Sequence, residues 1–203
     1  MAGGGPDLIA IVGGHLALDF ANTAGWHASA ERLEHLTDYS EWMVWMVRVG
    51  AITQSAADGL LREAIAHPRR AQNALLKAHS LREAEYRVFS SLAQGLTPAT
   101  PDLAEIHAAH VAALAAAEAQ WDTKSGFVVR WDHDGTDLAS PMHPIMVKVA
   151  ELLASPDLTL LRQCGRHPCG WLFLDRSRNG SRRWCSSGEC GNTMRVAKFR
   201  GRL

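Results

Sequence analysis

The four cysteines of this chain constrain its fold more than any other feature. Two close pairs, Cys164-x4-Cys169 and Cys185-x4-Cys190, are separated by fifteen residues. Two such pairs about 15 to 20 residues apart are typical of a zinc site with four cysteine ligands. Zinc binds sulfur at about 2.3 Å in tetrahedral geometry, so each pair must bend sharply, and glycines stand beside the ligands. We therefore predict that the C-terminal part of the chain folds around a zinc ion.

Two disulfide bonds are the alternative for the same cysteines. They require an oxidising compartment, and Met1–Pro6 lacks the basic and apolar regions of a secretion signal. No stretch is long and apolar enough to span a membrane. We therefore predict a cytoplasmic protein with no membrane partner. Four protein ligands leave no coordination position for water or substrate, so the zinc is predicted to be structural.

The net charge of zero conceals two oppositely charged parts. Residues 162–203 carry ten Lys or Arg and two acidic residues, a charge of +8, whereas residues 1–161 carry eleven basic and nineteen acidic residues, a charge of −8. A zinc ion with four thiolates adds about −2, which leaves the C-terminal part near +6. This asymmetry is typical of a basic module attached to an acidic domain.

Most of this positive charge lies between and after the cysteine pairs. The segment GWLFLDRSRNGSRRWC predicts a β-hairpin with its turn at Asn179-Gly180, and Asn192 predicts the cap of a helix over 193–200. Clustered guanidinium groups match phosphate oxygens and base edges, so they indicate nucleic-acid binding. The predicted contacts are Arg176, Arg178, Arg182, Arg183, Arg195 and Lys198. The alternative is that this face pairs with an acidic protein or with the chain's own acidic domain.

The part before the cysteines is predicted to be mainly helical, with a small β component. Start and stop signals, such as the capping box of Asp38 with Glu41, place helices at about 38–49, 55–66, 68–94, 100–120 and 143–154. Residues 8–12 predict a short strand, and residues 15–23 fit either a strand or a helix start. Residues 127–131 predict a hairpin with its turn at Asp134-Gly135. The tryptophans that we assign to the core or to a pocket lining are Trp42, Trp45, Trp121 and Trp131.

Two stretches of the chain resemble a known family. Cys164, Cys169, the run LFLDRSRNGSRRWC and Cys190-Gly191-Asn192 resemble the CGNR zinc finger, although the final motif arginine is Thr193 here. The run LALDFANT at 16–23 is similar to the L-x-L-D-F-x-N-T signature of the ABATE domain that precedes this finger. The resemblance implies an ABATE-like domain over 1–157 and a zinc finger over 158–203. It also implies a stress-induced transcription regulator with a DNA-binding finger.

The function predicted from these features is transcriptional regulation. The zinc module is expected to bind double-stranded DNA, and the N-terminal domain to sense a small-molecule effector or to form a homodimer. The alternative is a zinc-stabilised protein-interaction module that does not bind DNA. Asp19, Asn22 and Thr23 are candidates for a polar site, although such residues more often cap a helix or fix a turn. The sequence has no phosphate-binding loop, nucleophile elbow or H-E-x-x-H, so no enzymatic activity is predicted.

Overall fold

A computed structural model describes residues 9–27, 29–124, 126–131 and 135–201, which form seven α-helices and three two-stranded antiparallel sheets. The helices are α1 (Leu16–Ala21), α2 (Tyr39–Arg48), α3 (Gln54–Ala66), α4 (Pro68–Ala93), α5 (Thr100–Ala115), α6 (Met142–Leu153) and α7 (Asn192–Phe199). The strands are β1 (Ala24–Gly25), β2 (Leu33–Glu34), β3 (Ala117–Asp122), β4 (Gly126–Trp131), β5 (Leu161–Gln163) and β6 (Leu172–Leu174), paired in that order. The prediction of a mainly α fold with a small β component is confirmed.

Local signals define the ends of most helices. Asp38 caps α2 by accepting a hydrogen bond from the backbone N–H of Glu41 at 2.9 Å. The Glu41 carboxylate accepts from the N–H of Thr37 at 2.6 Å, so the reciprocal bond of a capping box is displaced by one residue. Gly50 follows α2 with φ of +70°, a left-handed conformation that glycine adopts without strain.

The N-terminal expectations are resolved in favour of a helix. His15 caps α1 by accepting a hydrogen bond from the N–H of Ala17 at 3.3 Å, so residues 15–23 are a helix start and not a strand. The strand predicted for residues 8–12 is wrong for Ile9–Val12, which form no strand, and Leu8 lies outside the described residues. Directly after this segment, the Gly13 carbonyl accepts a hydrogen bond from the N–H of Leu174 at 2.9 Å, which connects the chain to β6.

The largest error of the prediction lies after α5. The helix predicted to reach residue 120 ends at Ala115, because Ala117–Asp122 form β3 and pair with β4. The Trp131 indole N–H donates to the Ala113 carbonyl at 2.8 Å and ties the hairpin to α5. Its turn lies between Asp122 and Gly126, so the turn predicted at Asp134-Gly135 is wrong, and Asp134 itself lies outside the described residues.

One apolar core joins the helical part to the strands on either side of the first cysteine pair. Trp42 and Trp45 are fully buried in it, as predicted. Leu172 and Leu174 of β6 belong to the same core, against α1. The prediction is wrong for Trp121, which is 77% exposed at the end of the β3–β4 hairpin.

A buried hydrogen-bonded pair fixes the C-terminal segment to α1. The Asn22 side-chain amide donates to the Leu172 carbonyl at 2.8 Å and accepts from the Leu172 N–H at 2.9 Å. Further bonds run from the Trp171 indole to the Ala24 carbonyl and from the Tyr86 hydroxyl to the Gly170 carbonyl, at 2.8 and 2.9 Å. The segment that carries the cysteines is therefore held against the helices by directional bonds as well as by apolar contact.

We predict that Asn22→Ala lowers the free energy of unfolding by about 2–5 kcal/mol, because it leaves the buried N–H and C=O of Leu172 without their partner. Urea unfolding with zinc bound measures this change. Asn179→Ala, at an exposed turn position, is the matched control and should change stability by less than about 0.5 kcal/mol. Equal stability of Asn22→Ala and the wild type would contradict the role of this pair.

Candidate metal centre and its basic surface

The four cysteines come from different local structures and meet at one point. Cys164 directly follows β5, Cys169 ends a turn that begins at Arg166, and Cys190 lies in a single π-helical turn, Ser187–Gly191. Their sulfurs all lie within 4.8 Å of one another and all four residues are buried. The sulfurs of Cys169 and Cys185 are 3.7 Å apart, and those of Cys185 and Cys190 are 3.5 Å apart.

These distances are those of a tetrahedral zinc site. Four sulfurs at about 2.3 Å from one ion are separated by about 3.8 Å along each edge of the tetrahedron. All four cysteines are free, and a disulfide needs sulfurs at about 2.05 Å, so the alternative of two disulfides is not what the structure contains. His167 is exposed and is not part of the cluster. The donor set fits zinc, with all four positions supplied by the protein.

An aromatic shell surrounds the cluster and explains two of its glycines. A Cβ added at Gly165 would lie 3.3 Å from the Trp184 ring, and one added at Gly191 would lie 3.2 Å from the same ring. A side chain at either glycine would therefore press on Trp184, which lies between the two cysteine loops. Phe173, in β6, is fully buried against the cysteines.

Arg166 is a residue near the cluster that the sequence analysis did not single out. Its Nη1 donates to the sulfur of Cys190 at 3.5 Å. A guanidinium at this distance offsets part of the negative charge that four thiolates and one Zn²⁺ carry. The sequence feature that could have identified Arg166 is its position inside the Cys164-x4-Cys169 loop.

The hairpin predicted between the cysteine pairs is wrong. Strand β6 pairs with β5, and no strand follows Asn179 in the described part of the segment up to Cys185. The Asp175 carboxylate accepts hydrogen bonds from the N–H of Ser177 and of Arg182, both at 2.9 Å. Those bonds, with that of the Ser177 hydroxyl first, hold the Asp175 pKa below its usual value. Residues 175–184, here called the arginine loop, therefore close around a carboxylate and not around a partner strand.

Arg182 holds the arginine loop to the metal centre. Its guanidinium donates to the Trp184 carbonyl at 2.9 Å and to the Cys185 carbonyl, and it lies over the Phe173 ring at 4.2 Å. Among the predicted nucleic-acid contacts, Arg182 is therefore engaged by the finger itself. Arg176 is also engaged, because its guanidinium pairs with the Asp157 carboxylate at 2.7 Å.

The other predicted basic residues are exposed. Arg178 and Arg183 lie on the arginine loop, and Arg195 and Lys198 lie on α7. The Arg195 guanidinium reaches the Ser187 carbonyl at 3.3 Å. Arg200, which the sequence analysis did not include, is exposed just after α7. These exposed residues, called the basic surface below, are Arg178, Arg183, Arg195, Lys198 and Arg200.

A cleft of about 710 Å³ lies beside the arginine loop. Arg183 and Ser187 both line it, and Ile11 and Val12 form its apolar side. Helix α7 begins with Asn192 itself rather than after it, and the Thr193 hydroxyl donates to the Glu189 carbonyl at 2.9 Å. Thr193 thus steadies the turn that holds Cys190, at the position where the family has an arginine.

The three candidate residues of the N-terminal polar site are buried and bonded within the protein. The Asp19 carboxylate accepts from the N–H of Gly13 at 2.8 Å, and burial raises its pKa to about 6 against the effect of this bond. The Thr23 hydroxyl donates to the Phe20 carbonyl and accepts from Arg82. Together with Asn22 they join α1 to its neighbours through hydrogen bonds within the protein.

Fold and site together define a helical domain fused to a closed four-cysteine zinc finger. Two family models match the chain: the ABATE family, described as a putative stress-induced transcription regulator, over residues 14–156, and the CGNR zinc finger over residues 161–203. The chain therefore belongs to the ABATE family and ends in a CGNR zinc finger, and its metal cofactor is zinc. Neither family is one of enzymes. A comparison with curated proteins found no match. No helix in the described ranges is both long and apolar enough to cross a membrane.

We predict that the purified protein carries one zinc ion per chain and that Cys185→Ser abolishes it, because Cys185 is buried at the centre of the cluster. Zinc content is measured by mass spectrometry of the metal, and stability by thermal unfolding. Loss of the ion should destabilise the whole chain, since β6 shares the helical core. His167→Ala, inside the first loop, is the matched control and should retain zinc. Zinc retained by Cys185→Ser would contradict the assignment.

Proposed function

We propose that this protein is a DNA-binding transcriptional regulator in which the zinc finger presents the basic surface to double-stranded DNA. The observation that carries the proposal is positive charge without a carboxylate partner. No carboxylate of the described ranges forms an ion pair with any of the five residues of the basic surface. Clustered guanidinium and ammonium groups without a carboxylate partner are the expected footprint for phosphates.

Zinc has a supporting part in this proposal. The arginine loop lies directly before Cys185, and α7 begins two residues after Cys190. If Cys164, Cys169, Cys185 and Cys190 hold the ion, both basic elements are fixed at their bases to the same point. Bound zinc supplies only this rigidity, because its four positions are filled by sulfur.

A protein-interaction module is the competing function. Among the residues that the structure describes, Arg176 is the one predicted contact that pairs with a carboxylate of the acidic domain, so internal pairing leaves the basic surface charged. An acidic partner protein would use the same cations. DNA is favoured because clustered guanidinium groups match phosphate oxygens and base edges, and because Arg183 lines a cleft of about 710 Å³. A regulator of this kind acts where the DNA is, which agrees with the predicted cytoplasmic location.

We predict that duplex DNA binds with a log–log salt slope of about −4 to −5, since five cations release about 0.9 counterions each. Arg178→Glu with Arg183→Glu should flatten this slope by about 2 and weaken binding at least tenfold at low salt. Arg69→Glu, an exposed arginine at the start of α4, is the matched control. Fluorescence anisotropy with a random duplex measures both quantities. A flat salt response of the wild type, or equal effects of the two variants, would favour the protein-interaction function.

The β3–β4 hairpin supports the homodimer that was predicted as a partner. Cross-strand partners lie on one face, which places Trp121 with Phe127 and Ala119 with Val129. Trp121 is 77% exposed and Phe127 is 67% exposed. An isolated two-stranded hairpin is only marginally stable in water, so a bare apolar face needs a cover.

We propose that a second copy of the chain covers this face, with the Trp121 of each copy on the Phe127 of the other. The hairpin's charged residues, Glu118, Asp122, Lys124 and Arg130, sum to zero, so two copies do not repel and polyanions are not attracted. Two copies would bury about 600 Å² from Trp121 and Phe127 alone, more than half of the roughly 1,000 Å² that a stable interface needs.

We predict that the wild type sediments at twice its chain mass of 22.1 kDa and that Trp121→Lys sediments as a single chain. The lysine places a charge in the apolar face, which disfavours association. Gln120→Lys, on the opposite face of the same strand, is the matched control and should remain dimeric. Sedimentation equilibrium over a range of concentrations measures this, and a monomeric wild type or a dimeric Trp121→Lys would overturn the proposal.

A further inference from the structure

A groove of about 460 Å³ lies between α2, α3 and α4, on the helical part of the molecule. Its volume is within the range of small-molecule sites, roughly 300–1,000 Å³. Neither the metal centre nor the basic surface contributes to it. The residues that line the groove are Thr37, Asp38, Tyr39, Ser40, Leu61, Ala64, Ile65, Pro68, Ala71, Gln72, Leu75, Leu76 and His79.

Most of the groove is apolar and partly open. Tyr39 and Leu75 are buried along it, while Ile65 and Leu76 border it with 82% and 57% of their surface exposed. An apolar ligand that covers such exposed aliphatic side chains removes their surface from water, which favours binding. This part of the groove therefore suits the apolar body of a small molecule.

One end of the groove is polar and negatively charged. Asp38 is the sole charged carboxylate of the lining, and hydrogen bonds from Ser40 and from the Glu41 N–H hold its pKa below the usual value. His79 lies at the same groove, and burial lowers its pKa, so it is uncharged at neutral pH. The lining contains no Lys or Arg. A ligand that complements this end carries a positive charge.

We propose that the groove binds an amphipathic amine, with its ammonium head toward Asp38 and its apolar body along Ile65 and Leu76. The Asp38 carboxylate then serves two functions, as the cap of α2 and as the counter-charge of the ligand. An acid of the same shape is repelled by Asp38, and a neutral analogue gains only the apolar contact.

The position of the groove makes its ligand an effector of the zinc finger, a role that rests on the proposed function. Helix α4 lines the groove from Pro68 to His79 and bonds to the finger through the Tyr86 hydroxyl, which donates to the Gly170 carbonyl at 2.9 Å. Arg82 on the same helix donates to the Thr23 hydroxyl, beside the Asn22 pair. A ligand that binds one position of α4 more tightly than another therefore shifts the way the finger packs against the helices.

Three probes of one shape test the ligand class against the full-length, zinc-loaded protein. They are 4-phenylbutylamine, 4-phenylbutan-1-ol and 4-phenylbutyrate, followed by calorimetry and by the methyl NMR signals of Ile65 and Leu76. The amine should bind at least tenfold more tightly than the acid and shift those methyl signals. Absence of binding, equal affinities or shifts confined to other methyl groups would overturn the proposal.

Two variants test the charge without disturbing the fold. Asp38→Asn keeps a good helix cap and should reduce the preference for the amine by about tenfold. Gln72→Lys places a cation in the exposed part of the lining and should reverse the preference. Asp58→Asn, an exposed carboxylate of α3 outside the groove, is the control and should behave as the wild type. An unchanged preference in both lining variants would overturn the assignment of Asp38.

Duplex binding with and without the amine tests the effector role separately. A change in DNA affinity of at least threefold that Gln72→Lys removes supports it. Amine binding with unchanged DNA affinity would overturn the effector role. If the protein binds no DNA under any condition, the proposed function fails, and amine binding still decides whether the groove is a ligand site.

Discussion

The hydrogen-bonded pair between Asn22 and Leu172 is the constraint on which the rest of the structure depends. It joins residues that are 150 positions apart and satisfies both backbone groups of a buried strand residue. Because an amide side chain supplies one donor and one acceptor, it can replace a missing neighbouring strand at this point. Strand β6 thus becomes part of the helical core instead of an appended ribbon. The LALDFANT run acts as a seat for the finger.

A series of contacts connects the Asn22–Leu172 pair to the basic surface. Strand β6 ends at Leu174, Asp175 closes the arginine loop, and Arg182 anchors that loop to the Cys185 carbonyl. Zinc then holds the far end of the loop and the start of α7 at one point. On the opposite side, α4 connects the apolar groove to the same finger through Tyr86. The proposed DNA-binding surface and the proposed ligand groove are therefore both connected to the same finger.

Several features could be predicted because their physics is local. Cysteine spacing needs only a sharp bend and a tetrahedral ion, and it identified all four members of the cluster. Capping signals placed α2 and α4 within a residue or two for the same reason. The predicted hairpin failed because Asp175 captures the N–H groups that a partner strand would use. The predicted end of α5 failed because Trp131 reaches back to the Ala113 carbonyl.

The sequence by itself determined the metal, the family and the mainly helical class, since short-range spacing and composition encode them. Only the tertiary structure decided which arginines are available. Of the six predicted basic residues, Arg182 lies over the Phe173 ring and Arg176 pairs with Asp157. Arg200, which was not predicted, is exposed. Likewise, the LALDFANT run does not by itself indicate that the Asn22 side chain forms hydrogen bonds with the Leu172 backbone. Such partners lie far apart in sequence, and only the folded chain brings them within hydrogen-bonding distance.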